Sequence, residues 1–236
     1  MAKVDEVMHM LEAKADREQL QGMARFAIVG EKRMGVSVPD MRGIAKEIGK
    51  DHQLALELWE TGVPEAMIVA GMVAEPDEFT EAQMEDWVVA INSWDICDQV
   101  CMNAFEKSPL ANQKIFEWSR REEEFVKRAA YALIACLAWH DKNAADEAFT
   151  QYFPLISQGA TDERNFVKKS VNWALRNIGK RNQNLNEAAI ELAKQIQELD
   201  SKSARWIARD AIRELESEKV QERLSKQAQR GTERKD

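Results

Sequence analysis

Phe125-Val-Lys-Arg-Ala-Ala-Tyr-Ala132 returns forty-one residues later as Phe166-Val-Lys-Lys-Ser-Val-Asn-Trp173, and a fainter echo follows as Ser203-Ala-Arg-Trp-Ile-Ala-Arg-Asp210. Each copy lies in a stretch whose apolar residues recur every three or four positions, and no stretch of the chain alternates as a hairpin strand does. A unit of about forty residues with two helices buries its apolar faces by stacking on the next unit. The pattern therefore predicts an all-α fold, a HEAT-like solenoid of stacked helix pairs with a concave binding face. It is read as one repeat domain over residues 1–218, followed by a C-terminal helix and polar tail over 219–236. Helices are expected over 17–29, 94–106, 122–139, 144–157, 163–179, 201–217 and 219–229, among others, with fraying from Gln227 onward. Pro39 and Pro64 stand where a first-turn proline is tolerated, and Gly49, Gly62, Gly159 and Gly179 close helical runs.

With 236 residues, 44% of them hydrophobic, the chain can bury a sizeable core. No apolar run is long enough to span a bilayer and the opening Met-Ala-Lys-Val-Asp-Glu is not read as a signal peptide, so a cytoplasmic protein, expected to be a monomer and without membrane partners, is predicted. Cys97, Cys101 and Cys136 are expected as core thiols. His9, His52 and His140 are scattered, so no metal site is predicted. No phosphate-binding glycine loop, Gly-x-Ser-x-Gly or Cys/His pairing appears, and no cofactor is expected. The formal charge is −8, which argues against nucleic acid until its distribution is considered. Residues 160–236 hold 17 Lys and Arg against 13 Asp and Glu, an excess of four, leaving −12 for residues 1–159. A local basic surface is therefore compatible with an acidic total.

The faces of the repeats carry more. In 163–179, Val167, Val171, Ala174, Leu175 and Ile178 form the core stripe, and the opposite side gathers Lys169, Trp173, Arg176 and Lys180. The aligned stripe in 122–139 is Arg128, Ala132, Ala135 and Trp139. In 201–217 it is Trp206, Asp210 and Arg213, with Arg209 beside it. Basic and aromatic side chains are thus expected away from the core in three successive repeats, where they suit phosphates and bases. The plainer alternative is that Trp173 or Trp206 packs beneath a neighbouring helix.

A second stretch, Ile91-Asn-Ser-Trp-Asp-Ile-Cys-Asp-Gln-Val-Cys101, puts Trp94 and Asp98 one turn apart on one helix face, with Ser93 as a candidate N-cap and Asp95 in the first turn. The neighbours of Asp98 are Trp94, Cys101 and Phe105, and Ile96, Cys97, Val100 and Ala104 fill the other side. A carboxylate on a helix apolar on two sides is either paired within the scaffold or used. An oxocarbenium-stabilising carboxylate, cationic groove and aromatic faces together match hydrolysis of an N-glycosidic bond whose leaving base is already positively charged.

Residues from about 20 to 218 resemble the DNA alkylation repair enzymes of the AlkD type. The resemblance rests on Gly35-Val-Ser-Val-Pro-Asp-Met-Arg42, on Ser93-Trp-Asp-Ile-Cys-Asp98, on Phe125-Val-Lys-Arg128 and on Asn172-Trp-Ala-Leu-Arg176, in that order. It implies a HEAT-like DNA glycosylase that removes cationic alkylated purines such as 3-methyladenine and 7-methylguanine from double-stranded DNA, with the lesion left exposed in the cleft. It also implies that Asp98 is the catalytic carboxylate, Trp94 and Trp173 contact the lesion, and Arg128, or Lys127 in its place, binds the DNA backbone. Met34 departs from the aromatic residue the family usually places before the Gly-Val step. Related proteins include some that bind unusual DNA structures without excision, so a non-catalytic repeat protein binding DNA or a protein partner is the rival expectation.

Overall fold

The computed structural model describes residues 2–233 and is helical throughout its regular structure. It divides into two compact units, residues 1–112 and 113–236. The first holds α1 (Ala2–Glu12), α2 (Arg17–Ala24), α3 (Val38–Ile48), α4 (His52–Glu60), α5 (Pro64–Val73), α6 (Glu81–Ala90) and α7 (Trp94–Asn103), and one of them is apolar all round. That helix is α5, Pro-Glu-Ala-Met-Ile-Val-Ala-Gly-Met-Val, buried at every position except Met72. A helix apolar all round has no solvent face, and α5 accordingly packs on α1, α3, α4 and α7. Gly71 sets the approach to α7, because a Cβ there would stand 3.3 Å from the Val100 Cα. An aromatic cluster joins α4 to α6: Trp59 stacks on Trp87 at 4.1 Å, and Phe79 meets Trp87 edge-on at 4.9 Å.

The helix expected over 17–29 ends at Ala24. Ala27 takes a left-handed φ of 58° and the Ile28 amide reaches back to the Met23 carbonyl at 3.2 Å, a Schellman-like stop made without glycine. Phe26 and Val29, within the span expected to be helical, are instead exposed on the loop that follows.

In the second unit α8 (Ala111–Trp118), which straddles the boundary, leads into α9 (Glu124–His140), α10 (Glu147–Thr150), α11 (Phe153–Gly159), α12 (Asn165–Gly179), α13 (Gln183–Gln197), α14 (Lys202–Leu215) and α15 (Glu218–Glu233). The forty-one-residue repeat becomes a stack: α9, α12 and α14 stand side by side, and α11, α13 and α15 form the second row. Hydrogen bonds tie equivalent positions of successive units together. The Phe166 amide meets Glu124 Oε1 at 3.4 Å, Asn177 Nδ2 donates to the Ala135 carbonyl at 3.0 Å, and Ser201 Oγ donates to Glu163 Oε1 at 2.8 Å.

Two expectations are corrected here. The helix expected over 144–157 is two, α10 and α11, because Pro154 has no amide proton for the Thr150 carbonyl. Helix α15 also continues past Gln227 to Glu233 instead of fraying there. Residues 234–236 of the expected tail lie outside the described residues.

Candidate nucleic-acid interface

The first turn of α7 is built by a loop some sixty residues earlier in the chain. Arg33, buried, donates through Nη2 to Ser93 Oγ at 3.0 Å and to Asp95 Oδ1 at 2.8 Å. Ser93 Oγ in turn donates to Asp95 Oδ1 at 2.7 Å. Ser93 thus holds the N-cap backbone position, but its hydroxyl serves the Arg33–Asp95 pair and caps no amide. Trp94, half-buried, is oriented by a hydrogen bond from its indole Nε1 to the Phe26 carbonyl at 2.9 Å, within the loop left when α2 stops early. Asp98 follows one turn on, also half-buried, with Cys97 and Cys101 in the core beside it. The helix therefore presents a held indole and a carboxylate on one face.

The same loop is fixed at its far end by Glu65. Its Oε1 accepts the amides of Met34 at 3.1 Å and Gly35 at 2.9 Å from within the core. Gly35 has φ +79°, and a Cβ there would fall 2.1 Å from the Asp16 carbonyl oxygen, so only glycine fits. Sequence reasoning missed Arg33 and Glu65. Glu65 had a signal, a lone acid opening the apolar run to Val73; Arg33 had none, because its partners are sixty positions away.

In the second unit α12 carries Lys169, Trp173, Arg176 and Lys180 along one face. Trp173 is half-buried, so neither a fully solvated nor a fully core position describes it. Lys169 is exposed and has no ion-pair partner among the described residues. Arg176 pairs with Glu214 and, at 3.4 Å, with Asp210; Lys180 pairs with Glu214 at 2.8 Å; Arg213 pairs with Asp210. Although burial alone would raise Glu214, the hydrogen bond from Lys180 and the Arg176 charge hold its carboxyl below the usual range. It stays ionised at neutral pH, so these cations already share their charge. Arg209 is exposed and its Nε donates to the Arg205 carbonyl at 3.2 Å. Trp206 is 40% exposed under the Lys168 ammonium, 5.1 Å from the ring centre.

The stripe expected on α9 is corrected. Ala132, Ala135 and Arg128 are buried, and only Trp139 of the four is exposed. Alanines carry too little hydropathy to mark a face, and α12 packs against this helix closely enough for Asn177 to reach the Ala135 carbonyl. Arg128 Nη1 donates to the Phe166 carbonyl at 2.7 Å. Lys127, its alternative, is half-buried 3.7 Å from Asp162.

Among the described residues no group of three His, Cys, Asp or Glu side chains is placed to hold a metal ion, and no helix is long and apolar enough to cross a membrane. The two-row stack of the second unit is that of a HEAT-like helical repeat protein. The chain belongs to the DNA alkylation repair enzyme family, whose model matches residues 7–215. No curated protein matches it. Among solved structures it is similar to one described as a new family of proteins related to the HEAT-like repeat DNA glycosylases with affinity for branched DNA structures. That likeness has 23% identity and a TM-score of 0.72, and spans 89% of this chain and 94% of the other, which establishes the fold. An engineered protein (13% identity, TM-score 0.36, 76% and 93% covered) and a designed armadillo repeat protein (15%, 0.34, 83% and 99%) are more distant.

Proposed function

We propose that the protein is a DNA N-glycosylase that releases cationic alkylated purines, such as 3-methyladenine and 7-methylguanine, from duplex DNA. The observation that supports this most is α7, on which Asp98 stands one turn from an indole held by the Phe26 carbonyl, above a first turn anchored by buried Arg33. A base that already carries positive charge leaves with the electron pair of the N-glycosidic bond and needs little acid. What remains is a cationic sugar, which a nearby carboxylate stabilises while it accepts a proton from the attacking water. Trp94 and Trp173 are assigned to the lesion nucleotide, and Lys169, Arg176, Lys180, Arg209 and Arg213 to the backbone; Arg128, buried on the Phe166 carbonyl, is left out. The test is to incubate alkylated duplex DNA with the protein and chromatograph the free bases; no release above the uncatalysed rate removes the glycosylase reading.

A second reading, a DNA-binding protein without excision, draws on the affinity for branched DNA described for the similar solved structure and on the charge sharing at Glu214 and Asp210. Excision separates the two. On either reading Lys169 and Arg209, which among the cations assigned here are exposed and without an acidic partner among the described residues, are the strongest phosphate ligands. Replacing either with Gln should weaken duplex binding for every sequence and lower the slope of log affinity against log salt by about one. Unchanged slopes in titrations of both variants would remove them from the interface.

Trp173 tests the aromatic assignment. A ring over a cationic base or sugar contributes about 0.5 to 2 kcal/mol, so Trp173→Ala should slow excision by roughly threefold to thirtyfold with little change in melting temperature. A large drop in thermal stability with normal excision per folded molecule would make the ring a packing residue.

A further inference from the structure

A cavity of about 560 Å³ opens in the second unit where the C-terminal ends of α9 and α12 meet α15. Trp139 and Trp173 form aromatic walls, and Lys142, Lys180, Arg181 and Arg223 supply four cations. None of Trp139, Lys142, Arg181 or Arg223 belongs to the surface proposed above for duplex DNA. We propose that this cavity binds an unpaired nucleotide, its phosphate against Lys142 and Arg223 and its base against Trp139.

Three observations carry this. First, the cations are held in advance. Arg181 donates to the carbonyls of Ala138 at 2.8 Å and Ala144 at 3.2 Å and lies 3.9 Å over the Phe149 ring, and Arg223 donates to the Lys180 carbonyl at 2.5 Å. Capping the carbonyl ends of α9 and α12 explains these two guanidiniums only in part, because Arg223 uses one of its five N–H groups in that bond. Lys142 has no hydrogen-bond or ion-pair partner among the described residues. Burial pushes its ammonium below the usual lysine range, and the Arg181 and Arg223 charges act in the same direction. Glu214 offsets Lys180, and Asp141 and Asp146 act on Arg181, so the surplus is centred on Lys142 and Arg223.

Second, Trp139 is 51% exposed at a helix end, where no packing demand accounts for an indole, and its ring stacks on His140 at 4.7 Å. Third, the volume falls in the range of sites that enclose one small molecule, about 300 to 1,000 Å³. Phosphate alone needs cations and no ring. Bases stacked inside a duplex offer no open face, whereas an unpaired base does, which is why the combination selects a single-stranded nucleotide.

The inference rests on the reading of this protein as DNA-binding, and the experiment separates the two. Affinities are measured by fluorescence anisotropy for one blunt duplex, for that duplex with a four-nucleotide single-stranded tail, and for the same tail made of abasic residues that keep the phosphates. The tailed duplex should bind about fivefold to tenfold tighter than the blunt one, and the abasic tail should lose most of that gain. Trp139→Ala should abolish the difference between the normal and abasic tails, and Lys142→Gln, at a side chain with no bonds to lose, should reduce the gain for both. Blunt-duplex affinity should stay within twofold in both variants. Equal affinity for blunt and tailed duplexes, or a tail preference unchanged in both variants, overturns the pocket while leaving duplex binding standing. A protein that binds none of the three overturns both readings.

Discussion

Folded Asp98→Asn should release 3-methyladenine and 7-methylguanine about 10² to 10³ times more slowly than the natural protein in single-turnover assays. The charge of Asp98 matters most when the sugar becomes cationic, so the carboxylate acts more strongly on the transition state than on bound DNA, and that difference sets the rate. Asparagine keeps the size and part of the hydrogen bonding but not the charge; losing one preorganised electrostatic contact typically costs about 3 to 4 kcal/mol of barrier. Duplex affinity should hold or rise, because a negative charge leaves the binding surface. The competing account makes Asp98 a scaffold residue, in which case stability, binding and excision fall together. Excision at the natural rate by the folded variant removes Asp98 from the chemistry and leaves the binding-only reading.

Arg33→Met should cost about 3 to 5 kcal/mol of unfolding free energy, read from urea denaturation. Its side chain is 2% exposed and that of Asp95 15%, so removing the cation leaves a largely buried carboxylate that still accepts from the Ser93 hydroxyl but has lost its counter-charge. The double variant Arg33→Met with Asp95→Asn should recover most of that loss, since removing both charges of a buried pair is often close to neutral. Excision by the folded single variant should also fall, because the loop that Arg33 pins to α7 carries the Phe26 carbonyl that orients Trp94. A loss under about 1 kcal/mol in the single variant would mean that the pair does not anchor the turn.

The stack of α9, α12 and α14 was legible because a repeat at fixed spacing is a local signal that survives without any knowledge of contacts: the Phe125 and Phe166 rings, at equivalent positions of the repeat, lie 5.4 Å apart. The first turns of Trp94 and Asp98 were legible for the same reason, since i and i+4 share a helix face. Helix ends set by chain chemistry were less so. Pro154 carried a signal for its break, yet the span 144–157 was expected as one helix, and the left-handed stop at Ala27 used no glycine and left no mark.

Hydropathy spacing by itself determined the all-helical class, the repeat and the two helices that bear Trp94, Asp98 and Trp173, because periodicity is a property of neighbours along the chain. Only the tertiary structure decided which cations are already committed. Arg176 and Glu214 are thirty-eight residues apart, as are Asn172 and Asp210, and Arg33 reaches Asp95 over sixty-two. A side chain's charge can be read from its letter. Whether that charge faces a phosphate, an acid of the next repeat or the inside of a helix pair depends on distances between residues far apart in sequence, and those are set by packing.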